Sequence, residues 1–188
     1  MIEKSAGFVL AGGGSTRMGV DKALLDAGGA PLLKRIAEEV RAAAGSVVVV
    51  GRPDRYARMG FDVIADLRSG AGPLGGIETA LTASRAEWNL IVACDMPRLR
   101  ARDMRGWIDA ADRAGADALV CVGPSGRPEP LAAVYRASCL DAVSAALDAG
   151  VRKITDALRD LQVFHFRLDN DLLTANLNTP EDWARFHG

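Results

Sequence analysis

The residues most suited to chemistry lie in the stretch Leu10-Ala11-Gly12-Gly13-Gly14-Ser15-Thr16-Arg17-Met18-Gly19-Val20-Asp21-Lys22, directly behind an apolar run from Ala6 to Leu10. This order reads as a strand entering a phosphate loop. Consecutive glycines let the backbone turn sharply and bring its N–H groups against a ligand that any Cβ would obstruct. Arg17 offers a planar fork of donors for phosphate oxygens, and Lys22 a mobile ammonium that follows charge between phosphates. The chemistry this suits is polyphosphate binding.

Two familiar phosphate loops do not fit. A Walker loop needs Gly-Lys followed by Ser or Thr, whereas Gly19 is followed by Val20-Asp21-Lys22. A dinucleotide fingerprint would match Gly12 and Gly14, but Arg17 stands at its third glycine, and the second strand ends in Gly51-Arg52 without the expected acid. An ordinary glycine-rich strand-to-helix turn remains the plain alternative.

Further candidates are scattered along the chain. Asp95 follows a strongly apolar strand, so its carboxylate is expected beside the loop, either as a hard-oxygen ligand for Mg²⁺ or as a helix cap. Asp66 ends another strand, where it caps a turn, pairs with Arg68 or faces the site. Asn176 and Asn178 flank Leu177, so both amides point one way on an extended segment, although such a pair also makes turns. Arg152 and Lys153 either meet an anionic acceptor or form a solvated basic pair. His165 and His187 have no partner at ligand spacing, and the former reads as a strand residue. Cys94, Cys121 and Cys139 are odd in number, without paired metal spacing, and read as buried free thiols.

The elements that must position these groups are legible as patterns. Ala6 to Leu10 reads as a first strand, and Pro31 opens a helix to about Ala44 with Leu33, Ile36, Ala37 and Val40 on one face. The β-branched run Val47 to Val50 suits a parallel strand covered on both faces. Asp54 to Met59 is a short helical turn and Asp62 to Ala65 a third strand. Gly70, Gly72, Gly75 and Gly76 read as a second glycine-rich loop feeding a helix from Ile77 to Ser84. Trp88 to Ala93 is the central strand, stopped by Pro97. A helix from Ala101 to Ala114 precedes a strand from Ala118 to Val122. The Gly, Pro and charge of Gly123 to Pro130 mark a surface loop, a candidate lid or acceptor-side loop, before strand signals resume at Leu131 to Tyr135. Helices from Cys139 to Ala149 and Ile154 to Leu161 and a strand from Val163 to Leu168 follow. Thr179-Pro180-Glu181-Asp182 combines an N-cap, a first-turn proline and acids to open a last helix ending at Phe186.

Strands alternating with helices predict a three-layer α/β/α Rossmann-like domain with a mostly parallel sheet, whose ligands sit beyond the carboxyl ends of the strands. With 188 residues, 49% of them hydrophobic, one domain spanning 1–188 is expected. A net charge of −1 excludes a basic nucleic-acid binder. No apolar run is long enough to span a bilayer, and the N-terminus lacks a signal-peptide pattern, so a cytoplasmic protein is expected.

Taken whole, the glycine-rich stretch resembles the nucleotide signature of the MobA-like nucleotidyltransferases, most closely the molybdenum cofactor guanylyltransferases. Their Leu-Ala-Gly-Gly-x-Ser-x-Arg-Met-Gly-x-Asp-Lys pattern is matched at every specified position from Leu10 to Lys22. Gly72-Pro73-Leu74-Gly75-Gly76-Ile77, Cys94-Asp95-Met96-Pro97, Arg127-Pro128-Glu129-Pro130-Leu131 and Asn176-Leu177-Asn178-Thr179-Pro180-Glu181 follow in the same order. The resemblance implies transfer of GMP from GTP to the phosphate of a molybdopterin cofactor, with Mg²⁺ as the metal. It implies nucleotide contacts at Leu10, Ala11, Gly12, Gly13, Gly14, Lys22, Asp66, Gly72, Gly76 and Asp95, with the backbone at Leu10, Gly72 and Gly76 approaching guanine. Arg17, Lys22 and Asp95 take the catalytic parts, Asp95 as the metal ligand, and Asn176 and Asn178 the acceptor or phosphate. Transient contact with molybdoenzymes or their chaperones is a further implication. A cytidylyltransferase for the same cofactor, or another MobA-like nucleotidyltransferase with a different acceptor, is the near alternative, although Met96 stands where cytidylyl relatives resemble Asp-Gln-Pro. A non-catalytic nucleotide-binding protein of the same fold is the second.

Overall fold

The computed structural model describes residues 3–12, 21–177 and 179–187. Seven strands of the described residues form one sheet in the order β3-β2-β1-β4-β6-β5-β7. These are β1 Glu3–Leu10, β2 Val48–Val50, β3 Asp62–Ile64, β4 Ala86–Ala93, β5 Ala118–Val122, β6 Pro128–Arg136 and β7 Val163–Arg167. The helices are α1 Leu32–Ala44, α2 Pro53–Tyr56, α3 Gly72–Ala83, α4 Ala101–Ala114, α5 Cys139–Asp148, α6 Ile154–Ala157 and α7 Pro180–His187. β6 runs antiparallel to both β4 and β5, while β1 to β4, and β5 with β7, pair in parallel. The sheet is mostly parallel, as the alternation of strands and helices predicts.

Helix faces follow the apolar spacing. α1 buries Leu33, Ile36, Ala37 and Val40, and α4 buries Met104, Trp107, Ile108 and Ala111, both against one face of the sheet in a common core. Leu74, Ile77 and Leu81 of α3 and Val143 and Leu147 of α5 cover the other face. β4 lies between, buried at every residue from Trp88 to Ala93, which accounts for its apolar run from Leu90 to Ala93, while buried Asn89 donates to Tyr135 O at 3.3 Å. No helix among the described residues is long and apolar enough to cross a membrane.

Several boundaries differ from the sequence reading. α3 begins at Gly72, not Ile77, so Gly72, Gly75 and Gly76 belong to the helix. Gly75 and Gly76 are glycines for packing: a Cβ at Gly75 would lie 2.6 Å from Ala71 Cβ, and one at Gly76 2.9 Å from Leu10 Cδ1. The helix signal is weak there because glycine is a poor helix former, and here it is required by Ala71 one turn earlier and by Leu10 of β1. The 123–130 loop is shorter than its composition suggests, since Pro128 to Pro130 already belong to β6, with Pro128 and Glu129 opposite Val122 and Cys121 beyond a register shift in β5. Such irregularity is where a strand tolerates proline. α6 closes at Ala157 rather than Leu161, and β1 starts earlier than Ala6, at Glu3.

Candidate active site

The parallel strands end along one edge, and chain order reverses there: β2 flanks β1 on one side and β4 on the other. A crevice at such a switch point is where α/β sheets hold ligands. Leu10 and Ala93 are register partners at its base. The backbone continues the pairing one step further, as Ala11 N–H donates to Val50 O at 2.8 Å and Cys94 N–H to Leu10 O at 3.1 Å. Gly12 and Asp95 therefore leave the sheet side by side from fixed positions.

A cavity of about 270 Å³ opens above this edge. Its lining includes Leu10, Ala11, Gly12, Lys22, Asp66, Gly72, Gly76, Asp95 and Asn176, so the edge collects these dispersed candidates in one place. Gly13, Gly14, Arg17 and Asn178 lie outside the described residues. Asp66 does not pair with Arg68; its Oδ2 lies 3.3 Å from where a Gly12 Cβ would stand, and burial raises its carboxyl above the ordinary value. Gly72 has φ +67° with open space beside it, so backbone conformation requires glycine there.

Lys22 begins a one-turn 3-10 helix, Lys22–Leu24, capped by Asp21, whose Oδ1 accepts from Ala23 N–H at 3.1 Å. Asp21 Oδ2 accepts from Tyr56 Oη at 2.9 Å and Arg55 Nη1 at 3.0 Å. α2 thus clamps the turn that carries Lys22. Asp21 and Tyr56 are site residues the sequence reading did not single out; the only signal was Asp21 preceding the lysine in the motif.

Asp95 has an oxygen, Oδ1, with no hydrogen-bond partner among the described residues, and so has Asn176. Burial pushes the Asp95 carboxyl upward, and the Lys22 charge draws it partly back. Two orphaned oxygen acceptors facing one cavity suit a hard cation, for which Mg²⁺ uses one or two protein oxygens and takes the rest from water and phosphate. Among the described residues no cluster of three or more His, Cys, Asp or Glu is placed to hold a metal. Glu129 is a neighbouring carboxyl: burial raises it, Arg127 counters the rise, and Asp95 adds to it. Cys94 also lines the cavity, where burial, with the Asp95 and Asp21 charges adding to it, pushes its thiol up and disfavours the thiolate.

Residues 7–162 match the MobA-like NTP transferase domain. The chain belongs to this family. It is 34% identical over 185 residues to a Nostoc protein named "Probable molybdenum cofactor guanylyltransferase", covering 96% of this chain and 89% of the relative. A Shewanella putrefaciens protein named "Molybdenum cofactor guanylyltransferase" is also 34% identical over 185 residues, with coverage of 95% and 93%. The crystal structure of molybdopterin-guanine dinucleotide biosynthesis protein A from Archaeoglobus fulgidus superposes with a TM-score of 0.82 at 30% identity, covering 96% of each chain. As a MobA-like NTP transferase, the protein is a nucleotidyltransferase.

The remaining candidates lie elsewhere. Arg152 Nη1 donates to its own chain at Val151 O and Leu147 O, and Lys153 pairs with Asp156 at 3.7 Å, so this basic pair serves local structure. His165 is exposed on β7, away from the cavity lining. Cys121 and Cys139 are buried free thiols, while Cys94 is half-buried.

Proposed function

We propose that this chain, acting as one MobA-like NTP transferase domain across residues 1–188, is a molybdenum cofactor guanylyltransferase that joins GMP from GTP to the phosphate of a molybdopterin cofactor. The single observation that carries the reading is the meeting of Gly12, Lys22, Asp66, Asp95 and Asn176 in one cavity at the switch point. A terminal phosphate oxygen of the acceptor attacks the α-phosphorus of GTP in line. A new P–O bond forms as the bond from α-phosphorus to the bridging oxygen breaks, and pyrophosphate leaves with the electron pair. The acceptor phosphate is already largely dianionic near neutral pH, so no protein base is required. Catalysis then rests on positioning and charge neutralisation.

Gly12, with Gly13 and Gly14 beyond the described residues, brings backbone N–H groups to the phosphates, and Ala11 lines the same cavity. Lys22 and Arg17 stabilise charge building on the departing pyrophosphate. The walls at Leu10, Gly72 and Gly76 approach guanine, and Asp66 borders the nucleotide. Asn176 and Asn178 hold the acceptor side. Asp95 is the residue to hold Mg²⁺, with Asn176 Oδ1 a second oxygen beside it. When bound, the metal supplies Lewis-acid neutralisation of the nucleotide phosphates. A cytoplasmic site of action, and passing contact with molybdoenzymes or their chaperones to hand on the product, belong to the same reading.

The test is to incubate purified protein with molybdopterin cofactor and each Mg-NTP in turn, and to identify the product by mass. A guanine dinucleotide and pyrophosphate from GTP are expected. A cytosine dinucleotide from CTP would move the chain to the cytidylyl branch, and no pyrophosphate from any nucleotide would leave a binding protein of the same fold.

A further inference from the structure

Between β3 and α3, the short segment from Ala65 to Ala71 carries Asp66 into the cavity and leads directly into Gly72, Pro73 and Gly76 of its wall. It has little apolar anchorage of its own, since Asp66, Leu67, Ser69 and Gly70 are exposed. Its position is set instead by polar ties to α3. Leu67 N–H donates to Thr79 Oγ1 at 3.0 Å, and the same hydroxyl donates to Gly75 O at 2.8 Å. Arg68 makes a two-pronged pair with Glu78, Nε to Oε2 and Nη2 to Oε1, both at 2.8 Å. Glu78 is only 4% exposed and also accepts from Ser144 Oγ at 2.9 Å, while Arg68 Nη1 reaches Asp148 Oδ1 at 2.5 Å. Loop, α3 and α5 are thereby locked together through the buried carboxylate of Glu78, with the outer end of Arg68 and Asp148 at the surface.

This arrangement is expensive to build for stability alone, because burying a carboxylate against a guanidinium yields little net gain over apolar packing. It does achieve direction. A planar guanidinium bound at two points fixes orientation as well as distance. Arg68 is also engaged with Glu78 and Asp148, so it does not neutralise Asp66, two residues earlier in the chain.

We propose that Arg68, Glu78 and Thr79 are positioning residues that hold the Asp66 loop against the glycine wall of α3 and so set which base the cavity accepts. The inference rests on the nucleotidyltransferase reading above and deepens it. Selection between purines depends on fixed donors and acceptors, and a loop free to drift lets them follow the wrong base.

The experiment uses Arg68→Ala, Thr79→Val and Thr79→Ser. Pyrophosphate release gives kcat and KM for Mg-GTP and Mg-ATP with molybdopterin acceptor, and hydrogen exchange is read at the Leu67 amide without substrate. Arg68→Ala and Thr79→Val are expected to raise the KM for GTP by on the order of tenfold to a hundredfold, the scale of a small misplacement of a binding group. They are expected to reduce the GTP-over-ATP preference, leave kcat at saturation within about twofold, and accelerate exchange at Leu67. Thr79→Ser keeps the hydroxyl and is expected to retain both protection and preference. Unchanged KM and preference in variants that merely melt earlier would overturn the proposal, as would unchanged exchange at Leu67. Should Thr79→Val fail to fold, Arg68→Ala with its exposed outer end decides by the same readings. Wild-type protein that releases no pyrophosphate from any nucleotide would overturn the functional reading and base selection with it, whereas the exchange rates separately decide whether the clamp holds the loop.

Discussion

The backbone N–H of Leu177 donates to the carbonyl oxygen of Asp95 at 2.9 Å. One hydrogen bond thus pins the segment before α7 to the turn after β4 and sets Asn176 beside the carboxylate in the cavity. Leu177 is buried in the core that α1 and α4 share, so the tie has an apolar anchor. Asn176 Oδ1 is buried with no hydrogen-bond partner among the described residues, which costs stability unless a further group completes it. Asn176→Ala is therefore expected to leave the melting temperature unchanged or slightly raised while lowering turnover at least tenfold, about 1.4 kcal/mol in the barrier. Melting curves and pyrophosphate release on the same preparation check this; a large loss of stability with turnover per folded molecule intact would assign Asn176 to folding.

Asp95→Asn replaces a charged oxygen ligand by a neutral group of equal size, and Mg²⁺-dependent turnover is expected to be almost abolished with the fold retained. Near-normal turnover at limiting Mg²⁺ would remove Asp95 from the metal.

The same variant has a second, opposite effect on stability in chelator. Burial raises the folded-state carboxyl above the ordinary value of 3.8, so the folded form holds its proton where the unfolded chain has released it. Stability conferred by the protonated group is therefore complete below the unfolded value and lost as pH rises through the folded one. Asp95→Asn carries no such titration, so it is expected to melt above wild type at neutral pH, with the gap closing as pH falls to the ordinary carboxylate value. A gap that is constant with pH would show that ionisation of Asp95 costs the fold nothing.

Lys22→Ala is expected to lower turnover about 10²-fold or more, the scale for losing a placed electrostatic stabiliser. Its turn is held by Asp21, Arg55 and Tyr56, so the melting temperature should hold. Steady-state kinetics beside a melting curve separates the two effects.

Gly76→Ala places a Cβ 2.9 Å from Leu10 Cδ1, the end of a flexible side chain that also lines the cavity. Leu10 is expected to swing into the nucleotide space, raising the KM for GTP, and Leu10→Ala in the same chain should recover part of the loss. Gly7→Ala is the contrast, because its Cβ meets the backbone Ser46 O at 2.7 Å away from the cavity. It is expected to cost about 1 to 3 kcal/mol of stability without altering the KM of the folded enzyme.

The layered α/β fold and nearly every strand were legible in the sequence, because apolar runs such as Leu90 to Ala93 are satisfied under helices on both faces. Gly12, Lys22 and Asp95 were marked by glycine, cation and carboxylate chemistry that is local, whereas Asp66 and Asn176 were assigned through the family resemblance. Only the tertiary structure decided what these groups touch. Arg68 sits two residues from Asp66, yet it reaches Glu78 on α3 and Asp148 on α5, a choice made by packing that no local pattern encodes. The start of α3 was likewise obscured, because Gly75 and Gly76 weaken the helix signal, and the close approach of Leu10 that calls for a glycine at 76 exists only once α3 packs on β1. Asp21 became a bracket for Lys22 when folding brought Tyr56 to it, and burial, which belongs to the whole fold, left Asp95 an oxygen with no hydrogen-bond partner among the described residues.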